Sequence, residues 1–494
     1  MKSDVLVLGA GLGGLQCAYI LARAGLHVRV LEQGSRPGGC LQSYRRRGLS
    51  YDTGFHYVGG LGEGQSLHAV FAYLGLLDLP WQRMDDAFDH VLLEGRTFPL
   101  MQGFDAFVSA LAEEFPSERD ALRRYGRLLQ RVARHSPLWD DGGVDFSVSL
   151  SEAGAWPYLE ETFRNPLLRQ VLSGNGLRME LRRESLPLFT FAHCHAGYVE
   201  SSWRLRSGGA LLAEALARGI RSCGGEVLCN ARVDSLREAG GRITAAVCAD
   251  GRVFEADRFV SSLHPSVACA LLKDSRWERK AYFRRVGGLE NTFGFCTVSL
   301  RLKPGVLRYF NHNRYVYASS DVWDFWRGTG PVSGVLASCN VPETGDGYVR
   351  QVDLLTPMEW EHCRAWEGTA VGRRGADYEA LKSRLADECA ALASRGIPGL
   401  EAMVEERYVS TPLTWHDYTG TPGGSAYGVR KDYRTPLLTM LSPRTPLPNL
   451  WLTGQSLQVH GVHGVTMTAL ATCAEILGRE WIKEHVLMSG VKKL

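Results

Sequence analysis

Residues 4–14, DVLVLGAGLGG, determine the fold of this chain. The apolar run 4–8 predicts a buried strand, and glycines follow it with no intervening residue. A helical stretch then runs to about Ala24, and a second strand over residues 28–31 ends at Glu32. This order of strand, glycine turn, helix, strand and acidic residue predicts a β-α-β unit that binds a dinucleotide.

Four positions of this unit have separate mechanical roles. Gly9 permits the tight turn from strand to helix, and Gly11 lets the backbone approach a pyrophosphate. Gly14 lets the helix pack closely on the strand, while Glu32 can accept hydrogen bonds from a ribose. We expect the pyrophosphate at the helix N-terminus, where unpaired N–H groups and the helix dipole favour negative charge. The alternative is a glycine-rich turn that only packs the unit, and it leaves Glu32 without a role.

A second glycine pair follows the acidic residue, in the segment 32–40, EQGSRPGGC. It resembles the glycine doublet of the large superfamily of FAD-binding oxidoreductases, which includes amine oxidases and carotenoid desaturases. Near the C-terminus, a short strand over residues 449–453 is broken by Gly454-Gln455, and a helix is expected from about Val465 to Leu477. Because the N-terminal and the C-terminal segments both match this superfamily, the resemblance implies FAD rather than NAD. The FAD-binding residues that it implies are Gly9, Gly11, Gly13, Gly14, Glu32, Gln33, Arg36, Gly38, Gly39, Val233, Gly454, Gln455 and Val465.

The resemblance narrows to one family. The run 32–60 is similar to the equivalent region of the family of phytoene desaturases, carotenoid isomerases and retinol saturases, and its motifs are closest to the retinol saturases. Cys40 favours that branch, because amine oxidases and most phytoene desaturases resemble one another in having Arg directly after the glycine pair. Further matches lie at 52–57, 197–198, 206–209, 225–265, 411–413, 424–425 and 448–464.

This resemblance implies an α/β fold in which a Rossmann-like FAD-binding domain, of the amine oxidase and desaturase type, is interleaved with an α+β substrate domain. The expected parts are an FAD-binding domain over 1–65, 200–268 and 445–480, a substrate domain over 66–199 and 269–444, and a C-terminal tail over 481–494. Within the FAD-binding domain, Asp250-Gly251 predicts a hairpin turn leading to Phe254, and a further strand is expected over residues 259–262.

The activity implied is that of an FAD-dependent oxidoreductase that acts on C=C bonds of an apolar conjugated polyene, with a saturase-type reductase favoured. Desaturation and cis–trans isomerisation share this scaffold in the resembling family and stay open. A flavin amine oxidase is disfavoured because Cys40 replaces the Arg after the glycine pair. A binding protein similar to the Rab GDP-dissociation inhibitors is disfavoured because the glycine motif and Glu32 are intact.

Proton transfer to a polyene carbon needs a donor whose pKa lies near the working pH, so His and perturbed Tyr are the natural candidates. His56 and Tyr57 lie in a segment that passes beside the flavin ring in the resembling family. His460 and His463 flank the glycines before the C-terminal helix. The catalytic candidates are therefore His56, Tyr57 and His463, against the alternative of hydrogen-bonded structural residues. His193 and His195 are expected on a strand or loop, and no metal site is predicted.

Composition agrees with such an enzyme. The chain has 494 residues, and its 56 basic and 53 acidic side chains give a formal net charge of +3, which argues against a general nucleic-acid binder. Twelve cysteines without a CxxC pair are typical of reduced thiols in a cytosol. No second GxGxxG motif follows a strand, so the electron donor is open, and NAD(P)H arriving from solution is one option.

The predicted location is cytoplasmic, with peripheral contact on the inner face of a membrane as an option. The first strand starts at residue 4, which leaves no room for a cleavable signal peptide. No uninterrupted apolar stretch approaches the roughly 18 to 20 residues that a transmembrane helix needs. The tail 481–494 mixes apolar residues with lysines, so it can lie on a bilayer surface or pack as an ordinary surface helix.

Overall fold

A computed structural model describes residues 2–135, 143–273, 275–277, 280–324, 330–342 and 345–488. The strands are β1 Ser3–Leu8, β2 Val28–Leu31, β3 Ser43–Arg46, β4 Leu49–Asp52, β5 Val58–Gly59, β6 Trp81–Arg83, β7 Ala87–Leu93, β8 Arg96–Met101, β9 Ser202–Leu205, β10 Glu226–Leu228, β11 Val233–Ala239, β12 Arg242–Cys248, β13 Val253–Ser261, β14 Gly294–Leu302, β15 Asn313–Tyr317, β16 Gly334–Ser338, β17 Gln351–Met358, β18 Val404–Ser410 and β19 Leu450–Leu452. The helices are α1 Leu12–Arg23, α2 His68–Tyr73, α3 Phe104–Glu114, α4 Arg119–Arg134, α5 Gly143–Ser151, α6 Ala155–Thr162, α7 Pro166–Ser173, α8 Leu188–Glu200, α9 Ala210–Ser222, α10 Pro265–Ala270, α11 Ala281–Gly287, α12 Ala376–Ala393, α13 Leu400–Met403, α14 Pro412–Thr419, α15 Pro436–Thr439, α16 Gly461–Leu477 and α17 Arg479–Ile482.

The first sheet is built around β1, whose apolar residues are buried on both faces. β1 pairs in parallel with β2 on one side and with β13 on the other, and β10 extends the sheet beyond β2. The second half of β13 also pairs in parallel with β19, while its first half pairs with β12 in an antiparallel hairpin. Helices α1, α9 and α16 cover one face and form a common apolar core. This is the parallel β-α-β arrangement that the opening motif predicts.

The second sheet has the strand order β18-β14-β17-β16-β15-β7-β8, antiparallel except where β15 meets β7. One face packs on the helical layer formed by α3, α4, α6, α7 and α8. The other face packs mainly on α12. The first sheet therefore takes its strands from 3–31, 226–261 and 450–452, and the second from 87–101 and 294–410. The limits of the two domains stay a prediction.

The structure corrects two boundaries. The hairpin turn at Asp250-Gly251 is confirmed, but β13 runs unbroken from 253 to 261, because its two halves find different partners on the same side of the strand. The C-terminal helix begins at Gly461, four residues before the predicted start. Glycines in the sequence suggested a loop there, whereas Gly464 is needed inside the first turn, since a Cβ at that position would collide with the Val459 carbonyl.

The described part of the tail, residues 481–488, is a helical segment packed on the protein. Ile482 and Val486 are fully buried in the same core as α1 and α16. The remainder of the predicted tail, 489–494, lies outside the described residues. Among the described helices, none combines the length and the apolar character required to cross a membrane.

Candidate functional site

A groove lies at the carboxyl ends of the parallel strands, where open α/β sheets bind their ligands. The loops after β1, β2, β13 and β19 form its walls, together with the first turns of α1 and α16. Of the residues predicted to bind FAD, those lining the groove are Gly9, Gly11, Gly13, Glu32, Gln33, Gly38, Gly39, Val233, Gly454, Gln455 and Val465. Two are not in its lining: Gly14 lies beneath it, and the Arg36 side chain is exposed to solvent.

The glycines of the opening motif differ in what surrounds them. Gly9 has a φ of +90°, a conformation that L side chains rarely adopt. A Cβ on Gly14 would collide with the Gly9 carbonyl and lie 2.7 Å from Ser262 Oγ. A Cβ on Gly13 would lie 3.2 Å from the backbone of Gly454, so this glycine lets the C-terminal loop close over α1. A Cβ on Gly11 would meet nothing within 4 Å. The space next to Gly11 thus fits a ligand that approaches the backbone, as a pyrophosphate would.

Two backbone hydrogen bonds fix the Glu32 carboxylate at the end of β2. One carboxylate oxygen accepts a hydrogen bond of 2.8 Å from the Ala10 amide, and the other accepts one of 2.7 Å from the Gly34 amide. Each carboxylate oxygen has a second lone pair, so both hydrogen bonds leave capacity for a hydroxyl donor. The side chain is 8% exposed and lines the groove, which fits the proposed ribose contact.

The N-terminus of α16 faces the same groove. Gly461, Val462 and Val465 of its first turns line the groove wall, and no acidic residue lies in that turn. The unpaired N–H groups at a helix start carry a partial positive charge that stabilises a nearby anion. This end of the groove therefore fits the anionic form of a reduced flavin.

A second cavity continues from the groove. Six residues line both spaces, namely Cys40, Gly54, Phe55, Gln455, Gly461 and Val462. Burial raises the pKa of the Cys40 thiol to about 11, which keeps it protonated. Beyond this junction the wall is largely apolar and aromatic, with contributions from Leu177, Tyr198, Phe295, Leu336, Leu355, Trp415 and Tyr427. Among the described residues that line this cavity, none is acidic.

The catalytic candidates His56 and His463 both line the second cavity. Burial lowers the pKa of His463 to about 4, and burial together with the positive charge of Arg204 lowers the pKa of His56 to about 4. Both imidazoles are therefore neutral at pH 7. Each is only partly exposed, and because each lines the cavity, the surface that it exposes faces this internal space.

Tyr57 also lines the cavity, but its hydroxyl is engaged in a buried network. It donates to Asp89 over 3.1 Å and lies 2.9 Å from the Tyr315 hydroxyl. Arg178 lies 3.9 Å from the same carboxylate and stacks on the Tyr198 ring at 4.0 Å. Burial raises the pKa of Tyr57 well above its usual range. The structure therefore gives Tyr57 a positioning role in this network, and its role as a proton donor stays a hypothesis.

The prediction that His193 and His195 lie on a strand or loop is wrong, because both belong to α8. Two residues apart on a helix, they point to different sides. His195 Nδ1 lies 2.7 Å from the Tyr125 hydroxyl within the helical layer. His193 instead lines the second cavity, with its ring 4.4 Å from that of His463. Sequence spacing alone did not distinguish these two histidines.

Other cavity residues carried no signal in the sequence. Arg178, Cys194 and Tyr427 were not singled out from the sequence. The Tyr427 ring stacks on His460 at 4.1 Å, and its hydroxyl donates to the Leu177 carbonyl over 2.7 Å. Their function depends on contacts between distant segments, which periodicity and spacing do not report.

Residues 12–477 match the family of flavin containing amine oxidoreductases. The chain is 27% identical to the all-trans-retinol 13,14-reductase of Homo sapiens, over 97% of this chain and 86% of that protein. It is 24% identical to the lycopene-forming phytoene desaturase of Pseudescherichia vulneris, over 96% of this chain and 99% of that protein.

Among solved structures, an oxidoreductase from Methanosarcina mazei has the same fold, with a TM-score of 0.64 and 16% sequence identity. The alignment covers 95% of this chain and 99% of that one. The predicted fold class, a Rossmann-like FAD-binding domain with an interleaved substrate domain, is confirmed.

Proposed function

Because the chain belongs to the family of flavin containing amine oxidoreductases, it is an FAD-dependent oxidoreductase, and we propose that it reduces a C=C bond of an apolar conjugated polyene. The observation that carries this proposal is the largely apolar, aromatic cavity that opens from the groove at six shared residues. A rigid, flat, apolar chain fits such walls, since aromatic faces bury large apolar area without needing polar partners. The likeness to a retinol reductase supports the same substrate class.

FAD, when bound, supplies the hydride chemistry. The glycines of the opening motif and Glu32 would hold its pyrophosphate and ribose, and the N-terminus of α16 would favour the reduced, anionic state. The aromatic residues of the cavity orient the substrate and exclude water. At neutral pH, the imidazoles of His56 and His463 are uncharged, so neither carries an imidazolium proton to deliver. Each keeps one N–H donor and one acceptor nitrogen, so we propose that they orient the substrate and hold a proton beside it by hydrogen bonding.

An amine substrate is the less suitable alternative. A protonated amine buried in this cavity would need a carboxylate to compensate its charge, and no described residue in the lining of the cavity is acidic. Desaturation and isomerisation of a polyene would use the same cavity, and the likeness to a phytoene desaturase supports desaturation as the second candidate. A reductase transfers electrons from the flavin to the polyene, whereas a desaturase transfers them from the polyene to the flavin.

The decisive measurement is an anaerobic absorbance titration of the purified holoenzyme. We expect the flavin bands to bleach when NADPH or a chemical reductant is added, and to recover when a retinoid or carotenoid follows. Recovery that is matched by loss of polyene absorbance identifies a reductase. A flavin that is bleached directly by the polyene identifies a desaturase instead. Bleaching of the oxidised flavin by an amine, together with no response to any of the polyenes, would refute the proposed substrate class.

We further propose peripheral contact with a membrane, through the short helix α15. Leu437 and Leu438 of this helix are 86% and 47% exposed, and Arg285 donates to the Leu438 carbonyl over 2.6 Å. Exposed leucines beside a cation suit an anionic bilayer surface. In sedimentation with phosphatidylserine-containing vesicles, Leu437→Glu should weaken vesicle binding by about tenfold, because one leucine that would be buried in the bilayer is lost. Val371→Glu, at an exposed valine elsewhere, should leave binding unchanged, and equal effects of both variants would contradict this contact.

A further inference from the structure

Several buried polar atoms of the residues that line the second cavity make no hydrogen bond to any described residue. Nε2 of His56, Nε2 of His193 and Nδ1 of His463 are buried and make no hydrogen bond in the described part of the chain. Nη2 of Arg178 also makes no hydrogen bond, although it lies 3.9 Å from the Asp89 carboxylate. A buried donor or acceptor without a partner is costly, and native proteins rarely leave several in one place.

The surroundings of His463 leave room for one further atom. The helix α8 brings Gly197 next to this imidazole, and a Cβ at residue 197 would lie 3.3 Å from Nδ1. This Cβ would meet no other atom within 4 Å outside the helix α8. The His193 ring lies beside the same imidazole, with ring centroids 4.4 Å apart and ring planes tilted by 34°. Two rings, each with a nitrogen that makes no hydrogen bond among the described residues, therefore lie at one point of the cavity wall. A pure hydrocarbon has no donor or acceptor with which these nitrogens could form a hydrogen bond.

We propose that the substrate carries, besides its conjugated chain, an uncharged oxygen function such as a hydroxyl or carbonyl, which His193 and His463 bind. This inference rests on the proposed function. A neutral imidazole has one donor and one acceptor, and a hydroxyl group complements both.

The charges around the cavity disfavour a carboxylate in that position. Burial lowers the pKa of His193 well below its usual range, so both rings of the pair are neutral. The positive charge of Arg178 faces the buried carboxylate of Asp89 at 3.9 Å. A substrate carboxylate would therefore add an uncompensated negative charge to a buried site.

The test compares ligands that differ only in the end group. The holoenzyme is titrated anaerobically with all-trans-retinol, with the hydrocarbon in which CH3 replaces its CH2OH, and with the corresponding carboxylic acid, and each Kd is read from the flavin spectrum. We expect the alcohol to bind at least about tenfold more tightly than the hydrocarbon, which corresponds to one satisfied buried hydrogen bond. The acid should bind more weakly than the alcohol.

Two variants and one control locate the effect. Gly197→Ala fills the space beside Nδ1 without changing either histidine, and His463→Phe removes the nitrogen. Each should reduce the preference for the alcohol to below about threefold. His485→Phe, the same exchange at an exposed histidine near the C-terminus, should keep the wild-type ratio.

The outcomes separate this inference from the function on which it rests. Equal binding of alcohol and hydrocarbon, with the reduced flavin reoxidised by both, would overturn the oxygen function and leave the polyene reductase standing. An alcohol preference that survives in Gly197→Ala and in His463→Phe would overturn the assignment to this pair of imidazoles. If no polyene binds or reoxidises the flavin, the proposed function fails, and this inference fails with it.

Discussion

Gly11→Ala should give a folded but colourless protein. The added methyl group meets no protein atom within 4 Å, because it points into the space that we assign to the pyrophosphate of FAD. Residue 11 is the N-cap of α1 with a φ of −71°, a conformation that alanine adopts freely. The free energy of unfolding of the apoprotein should therefore change by less than about 1 kcal/mol, while flavin retention is lost.

Gly14→Ala, three residues further along the same motif, tests protein packing, whereas Gly11→Ala tests the space for the ligand. Its methyl group would collide with the Gly9 carbonyl and crowd Ser262, so the strand and α1 must separate. Such overpacking costs about 1–3 kcal/mol or more. The two variants are compared by the ratio of flavin to protein absorbance and by urea denaturation of the apoproteins. A fully yellow Gly11→Ala protein would show that the pyrophosphate lies elsewhere.

Asp89→Ala should destabilise the protein by about 3–5 kcal/mol, because it leaves the guanidinium of Arg178 buried without a counter-charge. The Asp89 carboxylate is fully buried. Besides facing Arg178, it accepts hydrogen bonds from Tyr57, from Asn175 over 3.0 Å and from Asn313 over 2.8 Å. These partners come from three separate segments, around residues 57, 175–178 and 313, so one carboxylate joins the wall of the cavity to the second sheet.

The effect of Asp89→Ala is measured as the change in urea midpoint of the holoenzyme. Asp86→Ala is the matched control, since the Asp86 side chain is 74% exposed and its pairing with Arg83 contributes less than about 1 kcal/mol. The double variant Asp89→Ala, Arg178→Met removes both charges and should recover a large part of the lost stability. If Asp86→Ala and Asp89→Ala shift the midpoint equally, the network does not have the proposed structural importance.

The regions where prediction from sequence succeeded share one physical property. Each prediction about the opening unit concerned local backbone geometry, such as the positive φ of Gly9 and the close packing at Gly14. The hairpin at Asp250-Gly251 belongs to the same class. Prediction failed at the start of α16, where glycines suggested a loop. Gly464 lies inside the first turn of that helix, because a Cβ there would collide with the carbonyl of Val459.

The sequence alone determined a dinucleotide site and the fold that holds it, because this motif lies within about thirty consecutive residues and its glycines act through their own backbone. The resemblance of Gly38-Gly39 and of the C-terminal segment to a known superfamily then implied FAD as the dinucleotide. The tertiary structure alone decided the substrate cavity. His193 and His463 are 270 positions apart, and only the packing of α8 against the start of α16 brings their rings to 4.4 Å. Burial then sets their protonation and leaves their nitrogens without partners, and neither property can be read from residue type or spacing.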